Sequence, residues 1–130
     1  MPMISIVDDD AWARDGIRVL IESLGYDASM FASAEEFLDS GFITETACLI
    51  TDLQMQGLSG LDLQRRLLDQ GHNVPIIFVT AYPDEVHRKQ AFDAGAIGFF
   101  SKPLDERSFV ECLTCAVDSF SQTQYRLRFN

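Results

Sequence analysis

Short apolar runs alternate along the chain with longer stretches in which apolar residues recur every three or four positions. These are the two periods of a buried strand and an amphipathic helix. MISIV at 3–7 reads as a first buried strand. From Asp10 to Leu24, the residues Ile17, Leu20, Ile21 and Leu24 form a helical stripe that Gly25 stops. YDASMF is a short second strand. SAEEFLDS opens on Ser33 with Glu36 three residues on, the pattern of a capping box. ACLIT is a third strand. Gly57, Ser59 and Gly60 then mark a loop, and Ser59 is placed to cap a helix carrying Leu63, Leu67 and Leu68. VPIIFVT reads as a fully buried strand, followed by a helix with Val86, Ala91 and Ala94 inward and Gly95 at its end. IGFFS is a fifth strand. The last helix, in LDERSFVECLTCAVDSF, carries Phe109, Leu113, Ala116, Val117 and Phe120 on one face.

Strands alternating with helices imply an α/β fold with a parallel sheet covered on both faces. The expected architecture is a flavodoxin-like, doubly wound sheet of five strands in the order 2-1-3-4-5, occupying residues 1–120 as one domain. SQTQYRLRFN adds a polar tail at 121–130. A chain of 130 residues, 47% hydrophobic with ten Phe, three Tyr and one Trp, can bury a core without metal or disulfide staples. No repeat or low-complexity segment interrupts it.

Charge narrows the function. A net charge of −10 argues against binding nucleic acid through phosphate contacts and against anionic membrane surfaces. Three cysteines, no signal-peptide pattern and no apolar run of membrane-spanning length point to a reducing, cytoplasmic compartment. Cys112 and Cys115 spell a CxxC motif, but periodicity puts it mid-helix, away from the N-terminal dipole that would activate a thiol. Buried or half-buried inert cysteines are expected. His72 and His87 have no partners at metal spacing and are expected to be solvated.

The acids are placed less ordinarily. DDD follows the first strand, and a single carboxylate, Asp52, closes the third. Burying a carboxylate against an apolar run is costly unless something pairs with it. Ligands of open parallel sheets bind outside the carboxyl ends of the strands, where the strand order reverses. In the expected order that point lies between strands one and three, so Asp8, Asp9 and Asp52 should meet in one pocket. Several carboxylates at close quarters call for a cation. A hard divalent ion, Mg²⁺ with Mn²⁺ as the alternative, suits oxygen ligands. Thr80 ends strand four and Lys102 follows strand five, adding a hydroxyl and an ammonium at the same edge. The set is an electrostatic clamp suited to a phosphoryl group, with Asp52 as the nucleophile that receives it. Taken singly, each residue has a plainer explanation: Asp10 is expected to cap the first helix, and Asp52, Thr80 and Lys102 would each pass as caps or turns. The case rests on their convergence. Trp12, two residues past the acids, is expected to be partly exposed packing near enough to report on metal binding.

IVDDD, LITDLQMQGLSGLDL, PIIFVTA and GAIGFFSKPLD together resemble the receiver domain of bacterial two-component response regulators, over roughly residues 3 to 120. The resemblance implies Mg²⁺-dependent phosphotransfer to Asp52 from the phosphohistidine of a sensor histidine kinase or from a phosphotransfer protein. It implies metal ligation by Asp9, Asp52 and the backbone carbonyl of Gln54, with Asp8 acting mostly through water. It also implies a cis Lys102–Pro103 peptide, and Thr80 and Phe99 as switch residues that remodel the face made by the fourth helix, fifth strand and fifth helix. That face is where a homodimer would form on phosphorylation. Gln54 and Tyr82 are placed by the resemblance beside the approach of hydrolytic water, where they would tune the phosphoryl lifetime. Such a domain is a phosphoacceptor with slow self-dephosphorylation rather than a turnover enzyme. One departure stands out: receivers usually carry Pro four residues after the acceptor, and this chain has Gln56.

Three other readings compete. A flavodoxin-type cofactor binder shares the fold, but three acids would repel its phosphate. A haloacid-dehalogenase-type phosphatase uses an Asp-x-Asp pair after its first strand, which Asp8 to Asp10 formally match, yet Trp12 departs from that pattern. A pseudo-receiver that only docks partners would not need the full set of acids, threonine and lysine. A stand-alone receiver acting by docking and the receiver of a longer regulator, commonly a DNA-binding transcription factor, stay open.

Overall fold

Packing turns the two periods into a layered α/β structure. The computed structural model describes the backbone of residues 2–129 and the side chains of residues 2–122. In chain order the elements are β1 (Met3–Val7), α1 (Ala11–Ser23), β2 (Asp27–Phe31), α2 (Ala34–Asp39), β3 (Thr46–Asp52), α3 (Gly60–Asp69), β4 (Ile76–Thr80), α4 (Glu85–Asp93), β5 (Gly98–Ser101) and α5 (Glu106–Phe129). The strands form one parallel sheet in the order β2-β1-β3-β4-β5, as the alternation predicts.

Successive side chains of a strand point to opposite faces, so each central strand feeds two cores. Ile4, Ile6, Cys48, Ile50, Ile77 and Val79 pack with Ile17 and Ile21 of α1 and with Phe109 and Leu113 of α5. Val7, Leu49, Ile76 and Phe78 pack on the other side with Phe37 of α2, Leu63 and Leu67 of α3 and Ala91 of α4. Burial on both faces explains why these strands read as continuous apolar runs. Between β1 and β3 one buried polar pair, Ser5 and Thr46, is satisfied by a 2.7 Å hydroxyl–hydroxyl hydrogen bond.

Helix starts follow local chemistry. Asp10 caps α1 by accepting the Trp12 N–H. Ser59 and Asp62 form a reciprocal capping box at α3. At α2 the box is modified: Ser33 accepts the Glu36 N–H, but the Glu36 carboxylate reaches the Ala32 N–H at 2.6 Å instead of that of Ser33.

Several expectations need correction. Leu68 is 48% exposed, and buried Gln64 takes the inward place beside Leu63 and Leu67, donating from Nε2 to the Ala91 carbonyl at 3.0 Å. In α4 only Ala91 is buried; Val86 is 67% exposed and Ala94 is also exposed. A nine-residue helix touching the sheet side at one small residue is held by little buried apolar area, a feature of elements that open or shift readily. The segment expected as a polar tail at 121–130 continues α5 as far as Phe129; Asn130 lies outside the described residues. Cys115 is exposed rather than half-buried, while Cys112 is half-buried with its Sγ 3.3 Å from the Ile97 carbonyl. Both His72 and His87 are half-buried rather than solvated. No helix among the described residues is long and apolar enough to cross a membrane.

The start of α3 lies directly against the end of β3. A Cβ at Gly60 would collide with the Asp52 carbonyl oxygen and lie 3.0 Å from the Phe78 ring. Gly60→Ala should therefore cost about 2 kcal/mol, the usual range for overpacking a rigid contact, read from the midpoint of urea unfolding. An unchanged midpoint would contradict this close approach.

Candidate functional site

Register in the sheet decides which side chains meet. β1 pairs with β3 so that Val7 lies opposite Thr51, which puts Asp8, just past β1, beside Asp52, the last residue of β3. β3 pairs with β4 through Asp52 and Val79, and β4 with β5 through Thr80 and Ser101. Asp8, Asp9, Asp52, Thr80 and Lys102 thus share one edge, as the strand order requires.

Asp8 is only 1% exposed. Its Oδ1 accepts the Asp10 N–H at 2.9 Å, and its Oδ2 accepts from Lys102 Nζ at 3.1 Å. The same ammonium reaches Asp52 Oδ2 at 3.2 Å, while Asp52 Oδ1 accepts the Gln54 N–H at 3.1 Å. Burial pushes the Asp8 pKa up from its ordinary value, against the Asp10 N–H and the Lys102 ammonium, which pull it down. At Lys102 burial opposes the charge, but Asp8 and Asp52 together outweigh it and the pKa is raised. The ammonium is therefore firmly charged at neutral pH. One cation serves two acids, and the third, Asp9, stands exposed beside them.

Carboxylate oxygens of Asp8, Asp9 and Asp52 lie within 4.8 Å of one another. Three hard anionic ligands at this spacing, with one shared ammonium, fit a divalent cation of the Mg²⁺ or Mn²⁺ kind. Thr80 is 1% exposed, and its Oγ1 accepts the Tyr82 N–H at 3.1 Å. The Lys102 N–H donates to the Thr80 carbonyl at 2.8 Å, tying the ends of β4 and β5 together. The Lys102–Pro103 peptide is cis.

The remaining candidates stand further off. Gln54 is exposed at the loop surface, and the Tyr82 side chain is 72% exposed. Phe99 and Phe100 are both half-buried on opposite faces: Phe99 lies against Phe78 with centroids 6.3 Å apart, and Phe100 against Phe109 at 5.8 Å. Trp12 is 89% exposed, so it is a surface residue rather than packing. Two contacts escaped the sequence reading. Arg14 Nη1 donates to the Asp8 carbonyl at 2.6 Å, and the Gln56 N–H donates to Asp9 Oδ2 at 3.0 Å. The first had a faint signal, a base one helical turn past the acids. The second had none, because it is made by the backbone.

A family model described as the response regulator receiver domain matches residues 4–114. The transcriptional regulatory protein TdiR of Thauera aromatica is 36% identical over 114 residues, covering 88% of this chain and 50% of that protein. The chain thus spans about half the length of such curated relatives. Among solved structures, the response regulator StyR is similar with a TM-score of 0.87 and 32% identity, over 98% of this chain and 64% of that one. FixJ-N is similar with a TM-score of 0.80 and 32% identity, over 91% of this chain and 94% of that one.

An acid whose pKa rises on folding costs stability wherever it is ionised. The near-isosteric change Asp8→Asn should therefore raise stability at pH 7 by about 1 kcal/mol, in keeping with the net cost of buried charges, and the melting temperature by about 4 °C. The gain should fade below the ordinary carboxylate pKa, where Asp8 is protonated in both states. Thermal melts at pH 7 and pH 3 check this, and a variant that melts lower than wild type at pH 7 would contradict it.

Proposed function

Since this chain belongs to the response regulator receiver family of two-component signalling, we propose that Asp52 accepts a phosphoryl group from the phosphohistidine of a sensor histidine kinase or of a phosphotransfer protein. The observation that carries this reading is the Lys102 ammonium held between Asp8 and Asp52 at 3.1 and 3.2 Å. A structural ion pair needs one acid; a second acid on the same ammonium, with a third alongside, leaves anionic capacity for a metal, and the metal with Lys102 would supply the positive charge that a transferring phosphoryl group needs.

In the proposed step an Asp52 carboxylate oxygen attacks phosphorus, the bond from phosphorus to the donor nitrogen breaks, and the donor leaves with that electron pair. The Gln54 N–H on Asp52 Oδ1 and Lys102 on Oδ2 hold the carboxylate in one orientation, which lowers the entropy cost of attack. Mg²⁺, held by Asp9, Asp52 and the Gln54 carbonyl with Asp8 through water, would supply positive charge to the phosphoryl oxygens. Lys102 follows the negative charge onto the acyl phosphate.

Thr80 is the proposed sensor of that charge. Its hydroxyl oxygen is engaged by the Tyr82 N–H, so its proton is the part available to donate to a phosphoryl oxygen. Movement of Thr80 would carry Tyr82 and the chain leading into α4, the helix that buries Ala91 alone. Phe99, half-buried against Phe78, would move into the vacated space, and the α4–β5–α5 face would change shape. That face is the proposed output surface, including for a homodimer. Gln54 and Tyr82 would tune hydrolysis of the acyl phosphate, Gln54 by orienting water and Tyr82 by covering the opening.

The reading is a stoichiometric phosphoacceptor in the cytoplasm, not a turnover enzyme. TdiR is a transcriptional regulatory protein of which this chain matches half the length, and this supports a receiver working within a longer DNA-binding regulator. Acetyl phosphate with a divalent cation should add one phosphoryl group per chain by mass spectrometry, lost on base treatment and absent in Asp52→Asn. Equal labelling of Asp52→Asn would overturn the assignment, as would multiple turnover of a phosphate ester by the wild-type chain.

A further inference from the structure

Ahead of the capping box at Ser59, the loop joining β3 to α3, residues 53–59, is fastened through backbone groups of Leu53, Gln54 and Gln56. The Gln54 N–H donates to Asp52 Oδ1 at 3.1 Å, and the Gly60 N–H to the Leu53 carbonyl at 3.0 Å. Both of these links are local. The Gln56 N–H donates to Asp9 Oδ2 at 3.0 Å across 47 residues of sequence, joining this loop to the turn between β1 and α1. Gln56 is itself exposed, and the bond belongs to its backbone, not to its side chain. Gly57 follows at φ +79°, and a Cβ there would lie 2.5 Å from the Glu35 carboxylate. The exposed Glu35 side chain can move aside, but the left-handed backbone conformation disfavours any other residue, which keeps the chain on the path that aims the Gln56 amide at Asp9.

We propose that the Gln56 backbone amide is a positioning group: it fixes the Asp9 carboxylate for ligation of a divalent cation and makes the order of the acceptor loop depend on Asp9. The inference rests on the reading of Asp8, Asp9 and Asp52 as the metal site. Lys102 engages Asp8 and Asp52, and among the described residues it is this amide that engages the Asp9 side chain. An exposed aspartate without such a bond rotates among rotamers and loses that freedom on binding a metal. A carboxylate has lone pairs for more than one partner, so the amide on Oδ2 leaves Asp9 able to ligate. Outer partners of metal ligands are worth about 10–100-fold in affinity, and an exposed amide belongs at the lower end of that range. The link also works in reverse. The loop carrying the proposed ligand carbonyl of Gln54 is tethered to the acid on the opposite wall, so the two walls of the site are held at one separation before metal arrives. Proline, which the receiver pattern favours at this position, has no N–H and cannot make the bond.

Two measurements test this. In metal-free protein, Asp9→Ala should speed hydrogen exchange of the Gln56 amide by about tenfold while leaving the Gly60 amide, bonded within its own loop, unchanged. Calorimetric titration with Mg²⁺ should show Gln56→Ala, which keeps the N–H, binding like wild type. Gln56→Pro, which removes it, should bind about tenfold more weakly. Unchanged exchange at Gln56 in Asp9→Ala would overturn the proposal, and so would a Gln56→Pro variant with wild-type Mg²⁺ affinity. Wild-type protein that takes up no Mg²⁺ would sink the metal-site reading and the ligation half of this proposal. The exchange measurement, made without metal, would still decide the loop half.

Discussion

A single ammonium shared by two acids is the constraint around which the structure is arranged. Removing carboxylates from water costs several kcal/mol each unless charge and hydrogen bonds replace the lost hydration. Asp8 is essentially buried and Asp52 nearly so, and Lys102 reaches both from a third strand end. That geometry needs β1, β3 and β5 to end at the same edge and the β5–α5 connection to turn back over it. The parallel sheet supplies the common edge, and the Lys102 N–H to Thr80 carbonyl bond fixes the turn. The charge balance is left incomplete, with three carboxylates to one lysine, and this negative excess favours a divalent cation, whose charge would in turn offset the repulsion of an incoming phosphoryl group.

The two cores answer different demands. On one side α1 and α5 bury Ile17, Ile21, Phe109 and Leu113 and form a rigid backing. On the other, α4 contributes Ala91, supported by the Gln64 side chain on the Ala91 carbonyl. A polar tether and one small side chain hold α4 in place without committing much free energy to that position. In the proposed switch, a charge change at Asp52 passed through Thr80 and Tyr82 would have a lightly held element to act upon.

Much of this was legible in the sequence, for physical reasons. Strands buried on both faces write themselves as apolar runs, and the strand order then fixes which ends are neighbours, so Asp8, Asp52, Thr80 and Lys102 could be brought together without coordinates. Helix faces were less legible where burial is slight. Val86 and Ala94 fit a helical stripe, but the nine-residue α4 buries Ala91 alone and leaves both exposed. Leu68 lost its place to Gln64 because a hydrogen bond to a helix carbonyl, invisible to hydropathy, rewards an amide there. The exposure of Trp12 and the contact of the Gln56 N–H with Asp9 depend on side-chain direction and backbone path, which no residue pattern records.

The central claim is that Lys102 balances charge for the buried acids and that a divalent cation can take over part of that task. Removing one partner of a buried ion pair leaves an uncompensated charge, while a cation that binds only the folded state stabilises it by mass action. Thermal melting of wild type and Lys102→Met, each with and without Mg²⁺, measures this directly. The account predicts that Lys102→Met melts below wild type without metal and gains more from Mg²⁺ than wild type does, closing most of the gap. A variant as stable as wild type without metal, or one gaining no more than wild type from Mg²⁺, would contradict it.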